Sequence, residues 1–295
     1  MRESSLSNLA FRLPDRDAGM GSARSLLKSP VRMAKSIASV APVILKDIRA
    51  ALDSRSDEKA RQAMTAAQPR SPLKTLGVRP AFIKTIAKDV ATKHRASIDY
   101  AVAVALVDVA VSRKTREEIL VALEILERFR REFEPTLLAS LDKWSSLAED
   151  AEVAEFLGAR VAAPALALDP ARMPMVRKWA KVKSVGKRRL AVLAASGLVT
   201  EGRREAAAVL DLCEILLHEE TPLLVAGVAS LLKDTTKVDA KAVQDFLFRR
   251  SIDGNPDILR AGSENLDAAR RAALIAKLEA QAALTTTGAF AAAGR

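Results

Sequence analysis

Between Pro170 and Thr200 the chain carries Arg172, Arg177, Lys178, Lys181, Lys183, Lys187, Arg188 and Arg189, and no acid. On a helix, Arg177, Lys178 and Lys181 share one face. Lys187, Arg188 and Arg189 follow a Ser-Val-Gly turn and precede the apolar run Leu190 to Ala195, so they fall in the first turn of the next helix. That is the positive end of the helix dipole, where each cation costs a few tenths up to about 1 kcal/mol. An anion docked at the helix start would offset this cost. Cations at this density repel one another, and a nucleic-acid phosphate backbone neutralises them with counterion release and a steep dependence on salt. Arg177, Lys178, Lys181, Lys183, Lys187, Arg188 and Arg189 are therefore the candidate nucleic-acid-binding residues, with a solvated charged face as the alternative. A nucleotide-binding loop is excluded. Lys181 stands five residues before Gly186 where a P-loop has Gly, and Arg188 stands where Ser or Thr would hold magnesium.

Other reactive groups are few. The single Cys213 excludes an intramolecular disulfide, has no histidine or acid placed to activate it, and reads as a small core residue. His94 and His218 are far apart and lack Cys or carboxylate at ligand spacing, so no metal and no cofactor is expected. Asp150, in KWSSLAEDAEVAEFLG, is the one candidate catalytic carboxylate. Its competing role is that of a helix-opening acid, favoured by the dipole and flanked by Glu149 and Glu152.

These groups need a scaffold, and the composition selects a helical one. Apolar residues make up 49% of the 295 positions but aromatics only 4%, and Gly and Pro number twelve each. Ala, Leu and Val dominate the apolar residues; Ala, Leu, Arg and Glu are strong helix formers, and no alternating strand with a hairpin turn is present. In TREEILVALEILERFRREF, Thr115 and Glu118 have capping-box spacing, and Ile119, Ala122, Leu123, Leu126, Phe129 and Phe133 form one buried stripe. Glu124 with Arg128, and Glu127 with Arg131, stand at i,i+4 on the wet side. Alternate helices are expected to start near Pro80, Thr115, Asp150, Val185 and Thr221, a period of about 35 residues. Stacked helix pairs at that period make an α-solenoid whose concave face suits an extended ligand. The expected organisation is a basic, disordered arm over 1–40, a helical repeat domain over 41–282 and a low-complexity tail over 283–295. A net charge of +11 favours polyanions. The longest apolar stretch, Leu223 to Leu232, is too short to span a bilayer, and a soluble, cytoplasmic monomer is expected.

GVRPAFIKTIAK (Gly77 to Lys88) and KWAKVKSVGKRRLAVL (Lys178 to Leu193) resemble the AlkD-like DNA alkylation repair proteins, a family of HEAT-like helical repeats. Trp179, Ala180, Arg188 and Arg189 match the family's Trp-Ala and Arg-Arg elements, and the similarity spans roughly 45–270. The resemblance implies a concave basic groove that grips duplex DNA. It further implies, in active members, a DNA glycosylase that removes cationic alkylated purines without flipping the base into a pocket. There a carboxylate stabilises charge on the sugar, tryptophans contact the nucleotide, and an arginine of the Arg-Arg pair holds a phosphate. Departures from the pattern stand at Ser146, Gly186 and Ser230, where the family has aromatic residues. Trp179 is expected in a core between repeats. Two readings remain: a DNA repair protein with base-excision activity centred on Asp150, or a non-catalytic relative that recognises DNA structure or damage. A helical scaffold for a protein partner is the third class.

Overall fold

The computed structural model describes residues 30–134, 136–200 and 205–293, with side chains between 39 and 284. The chain divides into two units at Ser36, and the unit from Ile37 onward carries the helical stack. Residues 1–29 of the expected basic arm lie outside the described residues.

The helices are α1 (Pro30–Asp53), α2 (Glu58–Ala67), α3 (Pro80–Lys93), α4 (Tyr100–Arg113), α5 (Arg116–Glu127), α6 (Leu137–Trp144), α7 (Ala151–Glu155), α8 (Ala163–Leu168), α9 (Met173–Ala180), α10 (Val185–Thr200), α11 (Ala206–Ile215), α12 (Pro222–Thr236), α13 (Ala240–Arg250), α14 (Pro256–Gly262) and α15 (Ala268–Ala293). No strand occurs among the described residues; a single isolated bridge joins Lys74 to Thr115. The fold is all-α and solenoid-like. Helix α1 begins inside the expected arm, and the alanine-rich α15 runs through the expected tail to Ala293.

The period read from the sequence is the period of the structure. Thr115, Asp150 and Thr221 are the N-caps of α5, α7 and α12, while Pro80 and Val185 open α3 and α10. Asn255, the N-cap of α14, extends the series by one more step, its side chain accepting from Asp257 N at 2.8 Å. First helices pack on first helices (α3 on α5, α5 on α7, α7 on α10, α10 on α12, α12 on α14). Second helices do the same from α9 to α11, α13 and α15. Each first helix between α3 and α14 is thereby covered by two neighbours, as nearest-neighbour stacking requires. Both tryptophans seal such junctions. Trp144 Nε1 donates to Asp108 at 2.8 Å and Trp179 Nε1 to Asp142 at 2.7 Å, each one repeat back. Both rings are buried.

Helix α5 is the centre of the stack, buried from Arg116 to Leu126 except for Glu124. Its start differs from the expected capping box. Thr115 makes no side-chain cap bond, and Glu118 is fully buried, facing Arg49 and Arg113. Glu117 takes over instead, accepting from the amides of Leu76, Gly77 and Val78 and from Thr75 Oγ1 at 2.6–3.3 Å. A carboxylate with that many donors fixes the loop that crosses the starts of α5 and α7. Gly77 in that loop has φ +79°, and a Cβ there would lie 2.2 Å from Asp57 O. Only glycine fits.

Helices α7 and α8 are one continuous segment joined by a π-helical stretch, Phe156–Ala162. Ala163 N donates five residues back to Gly158 O, just before Pro164, which has no N–H to give.

Candidate nucleic-acid interface

The α9–α10 turn is built tightly. Met173, Val176, Trp179 and Ala180 bury one face of α9, leaving Lys178 and Lys181 outside. Ser184 Oγ accepts from Lys187 N at 3.1 Å and also bonds Glu149. Gly186 is pressed onto the preceding repeat, so that a Cβ there would lie 2.0 Å from Ala148 O. The start of α10 is thus closed by the chain itself. The acid near it, Glu149, belongs to the neighbouring repeat, so no external anion is needed to explain the cations there.

The eight cations of 170–200 separate by residue type. Every arginine has an acid. Arg172 pairs with Asp169 at 3.1 Å, Arg177 with Asp211 at 2.6 Å, Arg188 with Glu219 at 2.7 Å and Arg189 with Glu155 at 2.6 Å. The last three partners lie 31 to 34 residues away, those of Arg177 and Arg189 in adjoining repeats and Glu219 in the loop that ends the repeat of Arg188 itself. Arg188 also donates to the carbonyls of Val182 and Lys183, both at 3.0 Å, and Arg189 to Ala151 O at 3.2 Å. The expectation of eight unopposed cations is therefore corrected to four. A guanidinium fork can satisfy a carboxylate and a carbonyl together, which an ammonium does less well. Lys178, Lys181 and Lys183 are exposed and Lys187 half-buried, and none has an acid partner among the described residues. Arg188 pins the turn through the carbonyls of Val182 and Lys183, while these lysines take no part in the pairing network. Such an arrangement can bind phosphate without first breaking an ion pair.

Asp150 lies elsewhere. It is 1% exposed and caps α7 by accepting from Val153 N at 3.1 Å. Its other oxygen accepts from Ser71 Oγ at 2.8 Å and lies 3.4 Å from Arg116 Nε. Arg116 in turn pairs with Glu152. Of the two roles open to Asp150 in the sequence, the geometry displays the helix-opening one.

The face of the first helices carries a different carboxylate. Glu155, 52% exposed, lines two adjoining pockets. One, of about 270 Å³, lies between α10 and α12 and is walled by Val192, Leu193, Leu223 and Leu231, with Ser196, Gly227 and Ser230 among its small residues. The other, of about 220 Å³, is lined by Lys84, Leu120, Glu124, Glu152, Phe156 and Arg160. Arg189 holds Glu155 between them. The sequence reading missed Glu155, although its place one repeat before Arg189 was a usable signal. Trp144 and Trp179 line neither pocket, and Phe156 lies under Arg160, whose guanidinium sits 3.8 Å from the ring centre.

Other chemistry is sparse. Burial pushes the Cys213 thiol up to about 12, far from a nucleophile. Among the described residues no group of three or more His, Cys, Asp or Glu is placed to hold a metal ion. No helix among them is long and apolar enough to cross a membrane.

A family model for the DNA alkylation repair enzyme matches residues 48–266. The solved structure of a predicted DNA alkylation repair enzyme from Enterococcus faecalis is similar in fold, with a TM-score of 0.56 at 12% sequence identity, covering 72% of this chain and 98% of that one. No curated protein matches the chain in sequence.

Proposed function

The chain belongs to the DNA alkylation repair enzyme family, and on that premise we propose that it binds duplex DNA through the α9–α10 turn, as a cytoplasmic monomer acting on alkylated DNA. The observation that carries this is the contrast within one segment. Its arginines are all claimed by acids, whereas Lys178, Lys181, Lys183 and Lys187 are not. Phosphodiester oxygens meet those four ammonium groups with release of condensed counterions.

The chemistry that fits this scaffold is excision of a cationic alkylated purine. The glycosidic bond breaks with its electron pair passing to the purine, which leaves neutral. Positive charge develops on the sugar, water adds at C1′ and loses a proton. A carboxylate facing the opened groove stabilises that charge. We assign this role to Glu155, half-exposed beside both pockets with Arg189 as its partner; Asp150 is enclosed by its cap bonds, Ser71 and Arg116. The burial of both tryptophans favours a second reading, a reader of DNA structure or damage without chemistry.

Single-turnover release of 7-methylguanine from a methylated duplex decides between them. Glu155→Gln is expected to lower release at least a hundredfold at unchanged duplex affinity, while Asp150→Asn acts through stability. Release lost in Asp150→Asn with its melting temperature intact would return the reaction to Asp150. No release from wild type, with salt-sensitive binding retained, would make the protein a reader. No salt-sensitive duplex binding would overturn both.

A further inference from the structure

Lys84 and Lys88 stand one turn apart on α3, and Arg128 stands at the end of α5. All three are exposed, and none has an acid partner among the described residues. With Ala87, Glu124, Glu127 and Arg130 they surround an open pocket of about 230 Å³. The two glutamates in this pocket are already spent. Both bond the guanidinium of Arg160, Glu124 through two oxygens at 2.7 and 2.9 Å and Glu127 through Nε at 3.0 Å. The α5 dipole favours Arg128 at a helix end, but Lys84 and Lys88 lie inside α3, where a like pair at i,i+4 is unfavourable. Lys84 lies 105 positions before Arg189, three 35-residue steps, and so shares its register on the first-helix face.

We infer that Lys84, Lys88 and Arg128 form a second phosphate-binding patch that holds the same duplex as the α9–α10 lysines, about three-quarters of a helical turn away. This rests on the duplex-binding reading above. Three helix-to-helix steps separate α3 from α10, through α5 and α7. At 8–10 Å per step they span about 24–30 Å. At 3.4 Å per base pair that is roughly seven to nine pairs, short of the 34–36 Å of a full turn. A duplex longer than that span reaches both patches, and a shorter one reaches only one.

Affinity is measured with the full chain against duplexes of 6 to 20 base pairs over a range of salt. Wild type is expected to gain at least tenfold once the duplex exceeds about ten pairs. Lys84→Gln with Lys88→Gln removes that gain and lowers the slope of log K against log salt by about two. Lys59→Gln with Lys241→Gln, the same change of charge elsewhere, moves the slope by less than half a unit. If the Lys84/Lys88 double variant keeps both slope and length dependence while Lys181→Gln with Lys183→Gln loses them, the second patch is refuted and the first stands. If wild type shows no salt-dependent duplex binding, the underlying reading fails and takes this inference with it.

Discussion

Arg160 and Lys183 illustrate two fates for a cation on one chain. Around Arg160, between α5 and the π-helical stretch, burial alone would lower the pKa. Its bonds to Glu124 and Glu127 more than reverse this, holding it above the usual arginine value. Its charge is consumed in joining repeats. Lys183, on the α9–α10 turn, lies in a sequence with no acid for many residues on either side and stays unclaimed. The sequence invites the opposite assignment, because Arg188 and Arg189 sit in the same cation cluster as Lys183. What distinguishes them is whether a carboxylate some 31 to 34 residues away in sequence meets the cation across the packed helices. In a stacked fold, the acids that matter to a cation are about 35 residues off, and a local count of charge misses them.

Breaking the paired group should give the largest effect. Arg160→Met leaves Glu124 and Glu127 facing one another, both mostly buried, and should cost about 3 kcal/mol in a urea melt. Arg188→Ala should cost about 2 kcal/mol by leaving Glu219 and two carbonyls of the turn without a donor. DNA affinity would fall with it as the turn loosens. If instead its stability holds and only affinity falls, Arg188 is a phosphate ligand and the division by residue type is broken. Lys181→Gln with Lys183→Gln sharpens the contrast from the other side, with stability within about 0.5 kcal/mol of wild type and the loss confined to binding.

The smallest expected effect is at Asp47. Its carboxyl is held below the usual range by bonds to Lys93 and His94. Its contribution is complete above the unfolded value of 3.8 and is lost as pH falls through the lower folded value. Asp47→Asn should flatten the acid limb of the stability curve below about pH 4 and leave DNA affinity at neutral pH unchanged.

The scaffold was legible because its punctuation is local. Pro80, through its fixed φ, and Asp150, through its cap bond, announce helix starts by their own chemistry, whatever lies across the core. Trp179 and Cys213 lie buried, as expected of them. Pairing was not legible. Glu124 and Glu127 look like partners of Arg128 and Arg131 one turn away, yet both turn to Arg160, where one fork satisfies two carboxylates. Thr115 and Glu118 have the spacing of a capping box, yet Glu117 faces the amides of a loop 40 residues earlier. Asp150 and Glu155 are five residues apart on one helical segment, and their burial differs because the Ser71 loop covers one and reaches no further.

The two indole-to-aspartate bonds place the chain's only tryptophans in matching chemical settings at successive repeat junctions. Intrinsic fluorescence of this protein is consequently a strain gauge for the stack. Opening the α4–α6 junction wets Trp144, and opening the junction beneath α9 wets Trp179, so a single-tryptophan variant of each kind reports the parting of one named pair of repeats. A ligand that settles on the lysines outside leaves both emissions still, and one that pries the solenoid open changes them in the order in which its seams give way.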